Sequence, residues 1–270
     1  MPRLSLALDT ADLAEHYEQA SADRQFRFGQ ALVAELGIKT GDRVLDIVSG
    51  TGLLARYVAD LVGPTGRVEG LDPLPLRVAI AKQKGVPNAG FRVGTADNLS
   101  EFAPASFQAV YLNAVFHWLP EKLEPLRQIA RVLKPGGRLG ISTGSREHHN
   151  VLQTIKADVL SRAPFNRFQK EDDGLGLPYA VTAAELDDLL KLTGYAVGRL
   201  ELVPNAHFLP SGDATISFSE ASSFGNFLGH LPEAIRSEAR AAIAAELEKL
   251  RTPDGIPLGG TRIVAIATRL

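Results

Sequence analysis

The chain has 270 residues, 45% of them hydrophobic and 22% charged, with a formal net charge of −2 and no cysteine. That length accommodates one large α/β domain or two small ones, with an ample core either way. The charge balance offers no bulk attraction to nucleic acid or an acidic membrane, and the missing cysteines exclude disulfides, thiolate metal sites and cysteine nucleophiles. Residues 1–19 carry early charges and no signal-type apolar core, and no apolar run reaches about 18 residues. The expectation is a cytoplasmic protein without a membrane partner. Asp9 or Thr10 is placed to cap a helix carrying Leu13, His16 and Tyr17, and a second helix is expected over residues 26–36, ending at Gly37.

Residues 41–55 read GDRVLDIVSGTGLLA and carry the densest pattern in the chain. Residues 44–47 are a short apolar run suited to a buried parallel strand, and Gly50 and Gly52 come directly after it. Leu53, Leu54, Tyr57, Val58 and Leu61 then recur at helical spacing. Strand, glycine turn and helix form the entry to a nucleotide-type pocket, because glycines let a ligand approach the backbone at a helix N-terminus. With Asp72 twenty residues beyond Gly52, the pattern passes loosely for a dinucleotide fingerprint. Asp46, four positions before Gly50, argues otherwise. An anion there repels a pyrophosphate and suits a ligand with an ammonium or sulfonium group, such as S-adenosylmethionine.

Residues 44–52 also resemble motif I of the class I S-adenosylmethionine-dependent methyltransferases, with Val48-Ser49 where that family usually has Gly-Cys or Gly-Ala. Asp46, Gly50, Thr51 and Gly52 keep the pattern, and Ser49 joins them as a candidate for binding the cofactor. The resemblance places a leading-segment tyrosine beside the cofactor's methionine end. Tyr17 is the first choice, with Arg24 and Gln25 behind it.

The second strand is expected over residues 67–71 and ends in Asp72, whose carboxylate can accept hydrogen bonds from both ribose hydroxyls. Pro73 and Leu74 supply apolar surface for an adenine face. A helix over residues 75–84 and a strand over residues 90–93 lead to Thr95-Ala96-Asp97-Asn98. This stretch resembles the family's adenine-recognition segment, with Ala96 as backbone donor and Asp97 as acceptor. Asx chemistry makes a plain turn or helix cap the competing reading for Asp97.

A fourth strand over residues 108–112 carries Asn113, His117 and Trp118 at its carboxyl edge, the side on which doubly wound sheets bind ligands. Family likeness puts Asn113 and Trp118 against the cofactor. His117 reads either as a satisfied cap or as a general base. RVLKPGG, residues 131–137, is nearly a signature of the same family, and a fifth strand is expected over residues 138–143.

His148 and His149 are adjacent, which points them apart and disfavours a metal site, so no metal is expected. His148 is instead a candidate lining the acceptor pocket. Residues 151–160 read as a helix, residues 162–177 as a lid-like loop, and Thr182 to Glu185 as a capping box. Between a sixth strand (residues 196–203) and the last (residues 262–268) lie almost sixty residues. They hold His207, Phe208, Phe218, Phe224, Phe227, His230 and an amphipathic helix over residues 232–250. The aromatics either enclose an apolar substrate or form a small core of their own.

The resemblance runs by motif over residues 17–143. It implies an α/β, Rossmann-like, seven-stranded doubly wound sheet, order 3-2-1-4-5-7-6, with the last strand antiparallel and a helical cap insertion. Residues 1–270 would form one methyltransferase domain: N-terminal helices (1–40), cofactor-binding core (41–145), and acceptor cap with final strands (146–270). The implied reaction is methyl transfer from S-adenosylmethionine to a small, partly apolar acceptor at carbon, oxygen or nitrogen, leaving S-adenosylhomocysteine. An indole or phenol ring is a compatible acceptor. His117, Tyr17, His148 and His207 are the catalytic candidates. A monomer or homodimer without a nucleic-acid partner is expected. An NAD-dependent oxidoreductase, a non-catalytic S-adenosylmethionine-binding protein and a nucleic-acid methyltransferase are the alternatives.

Overall fold

A computed structural model describes residues 5–8, 10–14, 24–147, 151–168, 179–204, 207–223 and 225–270. The chain divides into two compact units. The first comprises Ala22–Gly144, Tyr179–Leu202 and Ile263–Leu270 and holds the main sheet. The second comprises Met1–Ser21, Ser145–Pro178 and Val203–Arg262, so the expected acceptor segment, residues 146–270, is shared between both.

In the sheet unit, β1 (Arg43–Ile47), β2 (Arg67–Asp72), β3 (Ala89–Val93), β4 (Phe107–Asn113), β5 (Leu133–Gly144), β6 (Tyr195–Pro204) and β9 (Thr261–Arg269) align as β3-β2-β1-β4-β5-β9-β6. Counting only these seven strands, the order is the expected 3-2-1-4-5-7-6, with the last strand antiparallel. β1 is parallel to both β2 and β4, so the strand order reverses direction at β1 and β4. Four of β1's five residues are buried, as a central parallel strand requires.

Helices α1 (Arg24–Glu35), α2 (Leu53–Val62), α3 (Pro75–Gln83) and α4 (Leu123–Val132) cover the sheet. α2 buries Leu54, Ala55, Val58, Ala59 and Val62, an apolar stripe at helical spacing. α4 does the same with Leu126, Ile129 and Val132. Leu45, Ile47, Val110, Leu112, Ile129 and Ile141 sit in one continuous core. The Pro-Gly-Gly stretch, ahead of the fifth strand expected over residues 138–143, lies inside β5 as an excursion: Phe107 pairs with Leu133, and pairing resumes only at Ala109 with Arg138. α6 (Ala183–Leu192) opens with the expected capping box, Thr182 Oγ1 accepting from Glu185 N–H at 3.1 Å and Glu185 Oε2 from Thr182 N–H at 2.8 Å.

The second unit has its own core, in which Leu152, Phe165, Ile216, Phe227, Ile243 and Ile256 are buried together. α5 (Val151–Leu160) and α8 (Glu233–Glu248) match the expected helices, whereas α7 (Gly212–Ser222) has no counterpart among them. α7 begins at Ser211, whose hydroxyl accepts from Ala214 N–H at 3.0 Å. Gly212 admits α8 closely, since a Cβ there would lie 2.7 Å from the Ala244 carbonyl oxygen. β7 (His207–Leu209) and β8 (Ile256–Leu258) form a separate antiparallel pair. Phe227 joins this small core, while Phe208 stays about half exposed. Among the described residues, no helix is long and apolar enough to cross a membrane.

Candidate functional site at the carboxyl edge of the sheet

The loop from β1 to α2 is tied down by its backbone. Ser49 N–H donates to Leu71 O at 2.7 Å, Gly50 N–H to Asp72 Oδ2 at 2.8 Å, and Gly52 N–H to Ser49 O at 3.0 Å. Gly50 and Gly52 hold φ values of 55° and 78°, which glycine adopts without steric cost. Val48 holds φ 59° with a β-branched side chain, a true outlier at the position where the resembled family has glycine. At the end of β4, Ala114 also turns through φ 59°, so both central strands leave the sheet through a strained non-glycine residue. Among the described residues, Ser49 Oγ is buried without a hydrogen-bond partner. A Cβ on Gly70 would sit 2.8 Å from this oxygen, so the hydroxyl points back at β2.

Asp72 is fully buried and ties two loops together. Its Oδ2 accepts from Gly50 N–H and its Oδ1 from Leu74 N–H at 2.9 Å. The expectation from sequence assigns both oxygens to a ribose; each already serves a backbone amide and keeps one further lone pair. Leu74 is buried and Pro73 half-buried beside it. In the adenine-like segment, Ala96 is buried and Asp97 exposed. Asn98 closes a turn, its Oδ1 accepting from Ser100 N–H at 3.2 Å and from Ser100 Oγ–H at 2.7 Å. Thr51 is buried in the glycine loop.

Asp46 is also buried, and Tyr111 Oη donates to its Oδ2 at 2.7 Å. Burial pushes its pKa up to about 7, opposed by the Tyr111 hydrogen bond and reinforced by the Asp72 charge. The expectation from sequence is a full anion. In its buried setting the charge is only about half present at neutral pH, and a cationic ligand would draw it out.

Asn113 donates from Nδ2 to Gln25 O at 2.9 Å, joining the end of β4 to the first turn of α1. Gly29 makes room for this approach, because a Cβ there would meet Asn113 Nδ2 at 2.9 Å. His117 lies buried in the turn Phe116–Trp118, with Trp118 half-buried and their rings 4.9 Å apart. Gly144 N–H donates to His117 Nδ1 at 3.1 Å, and Thr143 Oγ1, itself accepting from His117 N–H, stands 2.9 Å from the same nitrogen. An amide can only donate, so Nδ1 accepts and the proton sits on Nε2. Burial, with help from the Lys122 charge, lowers the ring's pKa to about 3. His117 is thereby a neutral Nε2–H donor at physiological pH, which removes the basis for the general-base role read from sequence. Lys122 caps this turn by donating to Phe116 O at 2.5 Å and Leu119 O at 2.6 Å, and burial lowers its pKa to about 7.

Tyr17 and His148 lie outside the described residues, as do the side chains of Arg24 and His207; the backbone of His207 belongs to β7 in the second unit. Sequence reasoning misses Tyr111, Thr143 and Lys122. Tyr111 is absorbed into an apolar strand, and the signal that finds it is its register opposite Asp46.

The set of groups along this edge fits S-adenosylmethionine. Two carboxylates stand at neighbouring strand ends, Gly50 and Gly52 bend the backbone at the start of α2, and residues 46–52 contain no lysine or arginine to hold phosphates.

Comparison with known proteins agrees with this reading. Residues 45–141 match the methyltransferase domain family. The chain is 36% identical over 125 residues to an arsenite methyltransferase of Aquipseudomonas alcaligenes, covering 43% of this chain and 36% of that protein. It is 39% identical over 121 residues to a ubiquinone/menaquinone biosynthesis C-methyltransferase of Pseudomonas aeruginosa, covering 43% of this chain and 47% of that protein. The chain thus spans less than half the length of these curated relatives. Geranyl diphosphate methyltransferase, solved with GPP and sinefungin, shares the fold at TM-score 0.56 and 13% identity over 90% of this chain and 77% of its own. Residues 45–141 thus match a methyltransferase domain, and together with the sheet order they support a class I S-adenosylmethionine-dependent methyltransferase.

Proposed function

We propose that this protein transfers a methyl group from S-adenosylmethionine to a small, partly apolar acceptor at carbon, oxygen or nitrogen. The observation that carries the reading is the buried Asp46 at the end of β1, one carboxylate oxygen held by Tyr111 and the loop beside it free of basic side chains. Asp46 would face the cofactor's cationic end, Asp72 the ribose, and Gly50, Thr51 and Gly52 the backbone-lined wall. Leu74, Ala96 and Asp97 would border the adenine, and Asn113 and Trp118 the methionine portion. When bound, the cofactor supplies a sulfonium methyl group open to in-line attack. The protein's part is then proximity and orientation. His117 would hold the Phe116–Trp118 turn in place as a neutral imidazole, its Nδ1 accepting from Gly144 N–H. If an acceptor must lose a proton, Tyr17, His148 and His207 are the groups to test.

An acceptor of modest polarity suits the net charge of −2 and the phenylalanines of the second unit. Arsenite is disfavoured because the chain has no cysteine thiol. The protein would work in the cytoplasm, as a monomer or homodimer and without nucleic acid. Calorimetry with S-adenosylmethionine, S-adenosylhomocysteine and NAD is the first test. The reading expects micromolar or tighter binding of the first two and none of NAD; the reverse pattern would return the protein to the oxidoreductases. An acceptor screen read as S-adenosylhomocysteine release then separates an enzyme from a binding protein.

A further inference from the structure

β1 and β4 are parallel neighbours, and Asp46 stands in register with Tyr111. Both side chains are buried, and the phenol donates to Asp46 Oδ2 at 2.7 Å. Among the described residues, no group donates to the other oxygen, Oδ1. The titratable groups that face Asp46 are Tyr111 from β4 and Asp72 from β2, and neither is a cation. Among the described residues, the protein therefore holds one oxygen of this carboxylate and leaves the other without a donor.

We propose that Tyr111 is a positioning residue for cofactor binding, fixing the rotamer of Asp46 and favouring its anionic form so that Oδ1 meets the cofactor's cationic end. This rests on the cofactor reading above. Free rotation of a buried carboxylate would scatter its charge among several directions, and a phenol that donates to one carboxyl oxygen holds one direction and favours the anion, to which the bond is stronger. Burial already holds Asp46 near pH 7, so loss of the hydrogen bond moves its titration further into the working range.

The test is calorimetric titration with S-adenosylmethionine and S-adenosylhomocysteine between about pH 5.5 and 9, on wild type, Y111F, D46N and the double variant. Wild-type binding should tighten as pH rises through about 7. Y111F should move that midpoint upward by about one pH unit and weaken binding at neutral pH about 3–10-fold, with the gap narrowing toward pH 9 to the part that the lost rotamer leaves. In the D46N background the Tyr111 substitution should have no further effect. A Y111F profile superimposable on wild type, or a Tyr111 effect that persists in D46N, overturns the inference while leaving the cofactor reading intact. Should Y111F fail to fold, Tyr111→Leu takes its place in the same titrations: an upward shift of the midpoint that is absent in the D46N background supports the inference, and an unshifted profile overturns it. Wild type that binds neither ligand at any pH overturns the cofactor reading and this inference with it.

Discussion

The carboxyl ends of β1 and β2 each present a buried aspartate, and the fold treats the two in opposite ways. Asp72 is anchored by backbone on both sides: one oxygen serves Gly50 N–H and the other Leu74 N–H. Asp46 has one phenolic donor and carries a pKa near 7. The difference teaches that adjacent positions with the same side chain divide structure from function. Asp72 holds the two loops in shape with both oxygens, while among the described residues Asp46 has an oxygen without a donor, which the proposal assigns to the cofactor.

Removing Asp72 should have the largest effect. D72A leaves two buried amides without acceptors, each costing about 1–3 kcal/mol, and frees the glycine loop. The expected outcome is a sharp fall in melting temperature together with at least a tenfold loss of cofactor affinity by calorimetry, on the ~1.5–3 kcal/mol scale of a charge-assisted hydrogen bond. A variant that binds poorly but melts like wild type would erase the distinction between the two aspartates.

Asp46→Asn should show the opposite pairing of effects. The folded state raises this carboxyl from 3.8 to about 7, so its contribution to stability is complete below pH 3.8 and is lost as pH rises through 7. Neutralising it removes that loss, on the order of 4 kcal/mol at full ionisation. Ligand-free D46N should therefore melt higher than wild type at pH 8 and alike at pH 4, while binding the cofactor at least tenfold more weakly. Equal melting temperatures across that range would show that Asp46 is not desolvated as described.

Ser49→Ala is the mildest test. Among the described residues, Ser49 Oγ is buried without a partner, so its removal should raise stability by about 1 kcal/mol, with cofactor affinity unchanged within about twofold. A clear loss of affinity would mean that the hydroxyl turns to the ligand, as expected from sequence, and that the glycine loop contributes a side chain as well as backbone.

Much of the sheet unit is legible because its signals are local. Apolar runs of parallel strands, the glycine turn and the Thr182 capping box each depend on a few consecutive residues. β4, expected over residues 108–112, spans Phe107–Asn113. What escapes depends on register and distance. Nothing around Tyr111 in sequence announces that it lies opposite Asp46, and His117 owes its tautomer to Thr143 and Gly144 on a different strand. α7 escapes for another reason: Ala214, Thr215, Ser217, Ser219 and Ser222 mix small and hydroxyl side chains, so its apolar stripe is thin and its stability comes from α8 beside it. The glycine loop and the strand ends thus rest on local motifs, whereas Tyr111, His117 and α7 depend on contacts that no local pattern carries.

Val48 carries a consequence for variation in this protein. A β-branched residue held at φ 59° costs about 1–3 kcal/mol relative to a relaxed backbone. Valine and glycine codons differ by a single base, so the relaxed loop is one substitution away in any mutant library. Position 48 therefore works as an internal gauge: selection for thermal stability alone favours glycine there, and selection for ligand binding reports whether the stiff, strained turn is worth keeping.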